Sequence, residues 1–273
     1  MATKKEHFHL DKWFLDFVSD AGEAMIFYAA KLNWRGLEVG YTSWLHQSEA
    51  LGVKHRSRMQ KIHMPEQTDR QITWEDDRFG VKGTWDPLAS PLQARLFDSE
   101  KGYLDWNCFQ PASRVKLNID GKILEGRGYA EQLILTAAPW HIPMQELRWG
   151  RFGSDSDQMV WIELRDEGKK QWLWHNEERI EGVIIEDDHL LLPEKNIKLT
   201  LDRSVVLESE KKILHVVRNL VRYLPGFNKS MPLLFLMADE YKWLSKGKLF
   251  QQDMPQSEGW AIHEFVNFNP PQK

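Results

Sequence analysis

Cysteine is nearly missing from this chain of 273 residues: Cys108 stands alone. No internal disulfide framework is open to it, and a lone thiol suits a reducing compartment. Its neighbours Trp106, Asn107 and Phe109 do nothing to activate a thiolate, so an inert, partly buried thiol is expected. Long apolar runs are missing too. The longest, Leu233 to Ala238, is far too short to span a bilayer. The opening MATKKEHFHLDKW carries charges where a signal peptide needs an apolar segment. The expectation is a soluble cytoplasmic protein without stable membrane insertion. Excess positive charge is also lacking. A net charge of −4 and a pI near 6.2 exclude a broad nucleic-acid footprint. There is no phosphate loop and no nucleophile elbow, and Gly126-Arg127-Gly128 leads into a strand pattern rather than a helix. His7 and His9 share a strand face but lack a third ligand, so neither a metal nor any other cofactor is expected.

What the chain has in excess is tryptophan, 13 residues, each able to bury a large apolar area while keeping one hydrogen-bond donor. The pattern around these residues is β. Residues 13–18, 23–34 and 37–45 read as a meander, with turns at Ser19-Asp20-Ala21-Gly22 and Arg35-Gly36, although the alanines of 23–34 also suit a helix. Residues 53–64 alternate basic and apolar and suit an edge strand, whose charges blunt aggregation. A second reading of Lys54, Arg56, Arg58 and Lys61 is an anion patch. Further strands are expected near 71–75, 79–85, 92–97, 103–109 and 113–119, with a hairpin turn at Asp120-Gly121. Beyond residue 153 the pattern gives strands at 159–165, 171–174, 182–185, 189–192, 197–201, 232–243 and 259–268. Residues 210–223 fit either a helix or a long strand.

The stretch 126–152, GRGYAEQLILTAAPWHIPMQELRWGRF, organises the chain. Two strands, 128–136 and 145–152, flank a proline-bounded corner. Alternation puts Tyr129, Glu131, Leu133 and Leu135 on one face. A glutamate on an apolar face is driven toward its neutral form by burial unless a cation compensates. Arg148 and Arg151, beside Trp149, are the expected cations from the next strand. The last strand repeats the theme, with Trp260, Ile262, Glu264, Val266 and Phe268 on one face. Gly259-Trp260-Ala261 echoes Gly128-Tyr129-Ala130, with the spacing to the glutamate differing by two residues. Two related β domains follow, 1–140 and 141–273.

The W-F-x-D-F run at 13–17, the GRGYAEQ strand, the RWGRF–MVWIELR hairpin and the terminal GWAIHEFV strand resemble the two-domain lipocalin-like hydratase and cyclase family. That family includes carotenoid 1,2-hydratases, tocopherol cyclases and lipocalin-like Diels–Alderases. The resemblance implies an all-β fold of two packed calycin/lipocalin-like antiparallel β-barrel or sandwich domains. It also implies an apolar pocket in or between them, and chemistry without metal or nucleotide: a positioned acid and aromatic walls acting on a bulky apolar, isoprenoid- or polyene-like molecule. Two departures keep the reaction open. Lys12-Trp13 stands where the family often has two adjacent tryptophans, and Glu131-Gln132 where the carotenoid hydratases place a histidine.

Protonating an alkene needs a neutral acid and aromatic faces for the cation. Glu131 is the expected acid, with Arg148 as its partner. The expected substrate contacts are Tyr129, Trp149, Arg151, Trp161, Glu163, Trp13, Asp16, His141, Trp260 and Glu264. An enzyme of cyclase, hydratase or isomerase type and a non-catalytic carrier of an apolar ligand both fit. A lipid binder without fixed chemistry fits less well. The sequence carries no signature of oligomeric state.

Overall fold

A computed structural model describes residues 8–59, 62–209 and 238–268. His7, Lys61, the 210–223 segment and the start of the 232–243 strand lie outside these residues. The chain divides into two units, Met1–Ile142 and Pro143–Lys273. The first holds β1 (Phe8–Val18), β2 (Ala24–Trp34), β3 (Leu37–Ser48), β4 (Gly52–Met59), β5 (Glu66–Gln67), β6 (Ile72–Asp76), β7 (Val81–Pro87), β8 (Leu92–Ser99), β9 (Gly102–Ile119) and β10 (Lys122–Leu135). The second holds β11 (Glu146–Gly153), β12 (Gln158–Arg165), β13 (Lys169–His175), β14 (Glu178–Ile180), β15 (Ile184–Ile185), β16 (His189–Leu192), β17 (Ile197–Leu201), β18 (Val205–Ser209), β19 (Asp239–Gln251) and β20 (Met254–Asn267). Among the described residues there is no α-helix, only two short 3₁₀ turns at Pro139–His141 and Pro193–Lys195.

Each unit is one antiparallel sheet, and the two have the same topology. The first runs β4-β3-β2-β1-β10-β9-β7-β6-β5 with β8 on β9. The second runs β14-β13-β12-β11-β20-β19-β17-β16-β15 with β18 on β19. Adding ten to each strand number converts one into the other. In both, the first and last strands of the unit pair at the middle of the sheet.

The first sheet curls around its core. Phe27 on β2 meets Trp74 on β6 and Trp85 on β7, with ring centroids 5.3 and 6.1 Å apart. Those strands lie five and four places from β2 in the sheet, so only a curled sheet brings them together. The enclosed face holds Trp13, Leu15, Phe17, Met25, Phe27, Trp44, Trp85 and Ala130. The opposite face of the central strands is buried as well, so β1 is buried without a break from Trp13 to Val18, Asp16 included. Asp120 and Gly121 take positive φ, 48° and 88°, as a tight two-residue hairpin turn demands.

Two expected strands, 103–109 and 113–119, are one. β9 runs through Gln110-Pro111 because its register against β10 shifts on both sides of Ala130. At such bulges a residue needs no ladder hydrogen bond, so proline is tolerated mid-strand. β4 is an edge strand, its residues Gly52–Arg58 all exposed.

Candidate active site

Register places Glu131 opposite Phe14 on β1 and Cys108 on β9, and Tyr129 opposite Asp16. Cross-strand partners share a face, so Phe14, Asp16, Tyr28, Cys108, Trp106, Tyr129 and Glu131 form one surface. It is the face turned away from the enclosed core. Glu131 is only 5% exposed, and Asp16, Tyr129 and Cys108 are fully buried. The Glu131 carboxyl is gripped at Oε2 by two donors. The Tyr129 hydroxyl donates to Oε2 at 2.6 Å, and the Trp106 indole N–H donates to the same atom. Phe14 packs edge-on against both Tyr28 and Tyr129, at 5.3 and 6.0 Å. The Lys12 ammonium sits 4.8 Å over the Tyr28 ring.

Burial pushes the Tyr129 hydroxyl well above the ordinary phenol value, and charge on Cys108 or Glu131 pushes it further. Burial likewise raises the Cys108 thiol; its hydrogen bond with Tyr129 opposes this, while Glu131 and Asp16 add to it. Both groups therefore keep their protons at neutral pH. Tyr129 acts as a donor to Glu131, and Cys108 is a thiol rather than a nucleophilic thiolate. The close packing behind them depends on Gly128. A Cβ there would lie 2.2 Å from the Asp16 carbonyl oxygen, the atom that accepts from Trp85 Nε1 at 2.8 Å.

The other expected residues lie elsewhere. Trp13 belongs to the enclosed core, stacked on Phe109 at 5.2 Å. His141 sits in the 3₁₀ turn after β10, where its Nδ1 lies 3.4 Å from Lys101 Nζ. Trp149, Arg148, Arg151, Trp161, Glu163, Trp260 and Glu264 are in the second unit. Arg148 and Arg151 do not reach Glu131 from a neighbouring strand, because β10 pairs with β1 and β9 while β11 pairs with β12 and β20. The ten residues between β10 and β11, with Pro139 and Pro143 among them, make the corner a passage between sheets, not a hairpin. Arg148 instead pairs with Glu146 at 2.7 Å and Asp187 at 3.2 Å and lies over Phe265. Arg151 donates to the Trp260 carbonyl at 3.2 Å. Glu163, fully buried, is bound by Arg165 and Gln171. The Trp161 ring occupies the space that a side chain at residue 150 would need.

The second unit has a counterpart of Glu131. The last pair of β1 with β10 is Val18–Arg127, and of β11 with β20 it is Gly153–Trp260. Gly259 therefore corresponds to Gly126, not Gly128, and Glu264 corresponds to Glu131 at the same spacing. The two-residue offset read from the sequence came from matching the wrong glycine. The surroundings differ. Where Glu131 faces Cys108, Glu264 faces Lys242, which is completely buried and contacts Glu264, Glu240 and Glu208 at 2.8, 3.1 and 3.3 Å. Burial, and the charges of Glu208 and Glu264, raise Glu240, against the pull of Lys242. On the opposite face of that sheet, His263 stacks on Trp243 at 5.1 Å with its Nε2 2.9 Å from Ser245 Oγ.

Sequence reasoning missed Trp106, Lys242, Glu208 and Glu240. Trp106 and Cys108 alternate with Leu104 on β9, but counting back from the Asp120-Gly121 turn sets Gln110 opposite Glu131; the register shift at Ala130 brings Cys108 there and Trp106 opposite Leu133. Among the described residues no group of three or more His, Cys, Asp or Glu is arranged to hold a metal ion, and no helix is long and apolar enough to cross a membrane.

No protein-family model matches the chain, and no curated protein matches it by sequence. Solved structures share its fold. CghA superposes with a TM-score of 0.56 at 10% identity, covering 97% of this chain and 90% of that one; it is also known with Sch210972. A candidate AttH from Nitrosomonas europaea gives 0.53 at 8% identity, covering 98% and 94%. Kievitone hydratase from Nectria haematococca gives 0.52 at 12% identity, covering 95% and 89%. The fold is the two-domain lipocalin-like fold of these proteins, as the sequence resemblance implies.

Proposed function

We propose that the protein is a cofactor-independent enzyme of cyclase, hydratase or isomerase type, acting on a bulky apolar small molecule with Glu131 as its acid. The observation that carries this reading is the Glu131 carboxyl, buried among Phe14, Tyr28 and Tyr129 and gripped through Oε2 by two neutral donors. With Tyr129 and Trp106 donating to Oε2, that oxygen is fixed as an acceptor, and the neutral carboxyl has one proton to transfer. Protonation of an alkene or an enol at that point leaves a cation or a polarised carbonyl that the surrounding rings stabilise by about 0.5–2 kcal/mol per contact. Tyr129, held protonated, keeps Oε2 in register as charge develops on the carboxyl. The fold shared with kievitone hydratase, and with CghA in its complex with Sch210972, supports a small-molecule reaction of this kind.

The experiment is Glu131→Gln. The glutamine carbonyl can accept from Tyr129 and Trp106 as Oε2 does, so the fold is kept while the transferable proton is lost. Apolar molecules extracted from the purified protein and identified by mass spectrometry supply candidate substrates. Turnover is expected to fall by about 10²–10⁴-fold with melting unchanged. Full activity in a stably folded Glu131→Gln protein ends the acid role.

The non-catalytic carrier is the second reading. It is favoured by the same two donors, which are also how a purely structural buried carboxylate is satisfied. A carrier retains its ligand in wild type and Glu131→Gln alike, and converts it in neither.

A further inference from the structure

The cations of edge strand β4 are not scattered over it. Register sets Lys54 opposite His46, Arg56 opposite Trp44 and Arg58 opposite Thr42. Three cations and three donor-bearing side chains therefore share one face, the enclosed face of the first sheet, opposite to that of Glu131. The Arg56 guanidinium lies over the Trp44 ring at 5.3 Å. That of Arg58 lies over Phe79 at 5.4 Å and donates to the Arg78 carbonyl at 3.4 Å. These contacts are with rings and a carbonyl, and no carboxylate is among them. Glu23, just before β2, pairs with His46 at 2.8 Å at one end of the row.

Beneath the arginines, the Trp44 indole N–H and the Thr42 hydroxyl are buried, with the residues 7% and 1% exposed, and neither has a hydrogen-bond partner among the described residues. Buried donors are nearly always satisfied, because an unmade bond forfeits the hydration it replaced. Protection of a sheet edge accounts for the cations. It accounts neither for their sharing one face nor for two orphaned donors directly across from them.

We infer that this β3–β4 ladder is an oxyanion-binding site, built for a phosphate or carboxylate group that is free or carried on a lipid headgroup. Arg56 and Arg58 supply planar forks that match such an anion two bonds at a time, and Lys54 adds a point charge. As the exposed Arg56 side chain turns from the indole toward the anion, Trp44 N–H and Thr42 O–H gain the acceptors they lack. The site is separate from the Glu131 cluster, so its occupancy is independent of the reaction proposed there.

The test uses the full chain labelled with ¹⁵N. The Trp44 indole resonance is the one lost in Trp44→Phe. Titration with inorganic phosphate at constant ionic strength is expected to move that resonance saturably at millimolar concentrations. Arg56→Gln and Arg58→Gln, on an exposed edge where folding is retained, are each expected to weaken binding by about tenfold or more. Lys198→Gln, at an exposed position of the second unit, leaves it unchanged. Sedimentation with vesicles of anionic or neutral phospholipid is the second arm. Binding to anionic vesicles that Arg56→Gln abolishes, without a response to free phosphate, assigns the anion to a headgroup; a phosphate response assigns it to a free anion. Either supports the site. A Trp44 resonance that neither phosphate nor vesicles move, or an affinity unchanged in Arg56→Gln and Arg58→Gln, overturns it.

Discussion

Lys242 offers the most direct test of how the second unit is held together. Its ammonium is fully buried, with three glutamates within 3.3 Å. Lys242→Met keeps the length and the apolar stem and removes the charge. Breaking a buried pair by deleting one partner costs about 3–5 kcal/mol, because carboxylates are left buried without compensation. For a unit of this size each kcal/mol moves the melting midpoint by roughly 3–4 °C, so a fall of about 10–20 °C is expected. The pH dependence gives the sign. Glu240 is already raised above its ordinary value of 4.5 with Lys242 present. A carboxyl raised in the folded state binds its proton more tightly there than in the unfolded chain. The stability it contributes in acid is therefore lost as pH rises from about 4.5 through its folded value. Without Lys242, whose charge opposes that rise, the Glu240 carboxyl is driven further the same way. The deficit of the variant should thus be greatest at neutral pH and shrink toward pH 5. Calorimetric melts of both proteins at several pH values measure it, and Glu264→Gln in the Lys242→Met background should restore part of the loss. A midpoint unchanged by Lys242→Met, or a deficit constant with pH, refutes the reasoning.

Burial, with the Arg203 charge adding, holds His263 down at about 3. The unfolded chain takes up that proton near 6.5 and the folded protein does not, so stability is lost as pH falls from about 6.5 toward 3, at up to about 1.4 kcal/mol per unit. Denaturant unfolding across this range should show a shallower slope in His263→Asn; an identical slope counts against the assignment. Gly128→Ala drives a methyl group to 2.2 Å from the Asp16 carbonyl and 2.5 Å from Val115. A loss of about 3 kcal/mol or more is expected. Gly153→Ala, with nothing within 4 Å of the added carbon, should stay within about 1 kcal/mol, and thermal melts of the two variants compare them.

Much of the fold was legible because strand alternation and tight turns are local. Arg35-Gly36 and Asp120-Gly121 announce their hairpins by residue type, and the face shared by Tyr129 and Glu131 follows from counting by two. What was not legible depends on pairing between distant strands. Nothing near Glu131 in sequence says that Trp106 will donate to it, since their contact is set by β9–β10 register through a bulge that Gln110-Pro111 disguised as a turn. Arg148 and Arg151 looked like neighbours because they are close in sequence, but the proline corner sends them to another sheet. Lys242 was hidden for the converse reason. A lysine in DEYKWLSKGK reads as solvated, and only three carboxylates from β18, β19 and β20 make its burial tolerable.

The seam at the centre of each sheet has a consequence for how the chain folds and how it can be cut. β1 pairs with β10 across a long separation; Asp11 and Gln132, hydrogen-bonded at 2.9 Å, are 121 residues apart. β2 to β4 can zip up as successive hairpins, but the seam closes only when the tenth strand is available, and such non-local closure is slow. During synthesis β1 therefore waits with one flank unpaired until residue 135 has emerged. Trimming either seam strand exposes a new edge in the middle of a sheet instead of at its rim. The same adjacency makes the first unit a natural circular permutant. Leu10 lies beside Leu135, so a short linker between those ends and a new opening at Asp120-Gly121 leaves every strand pair in place while relocating the last step of folding to the β9–β10 hairpin.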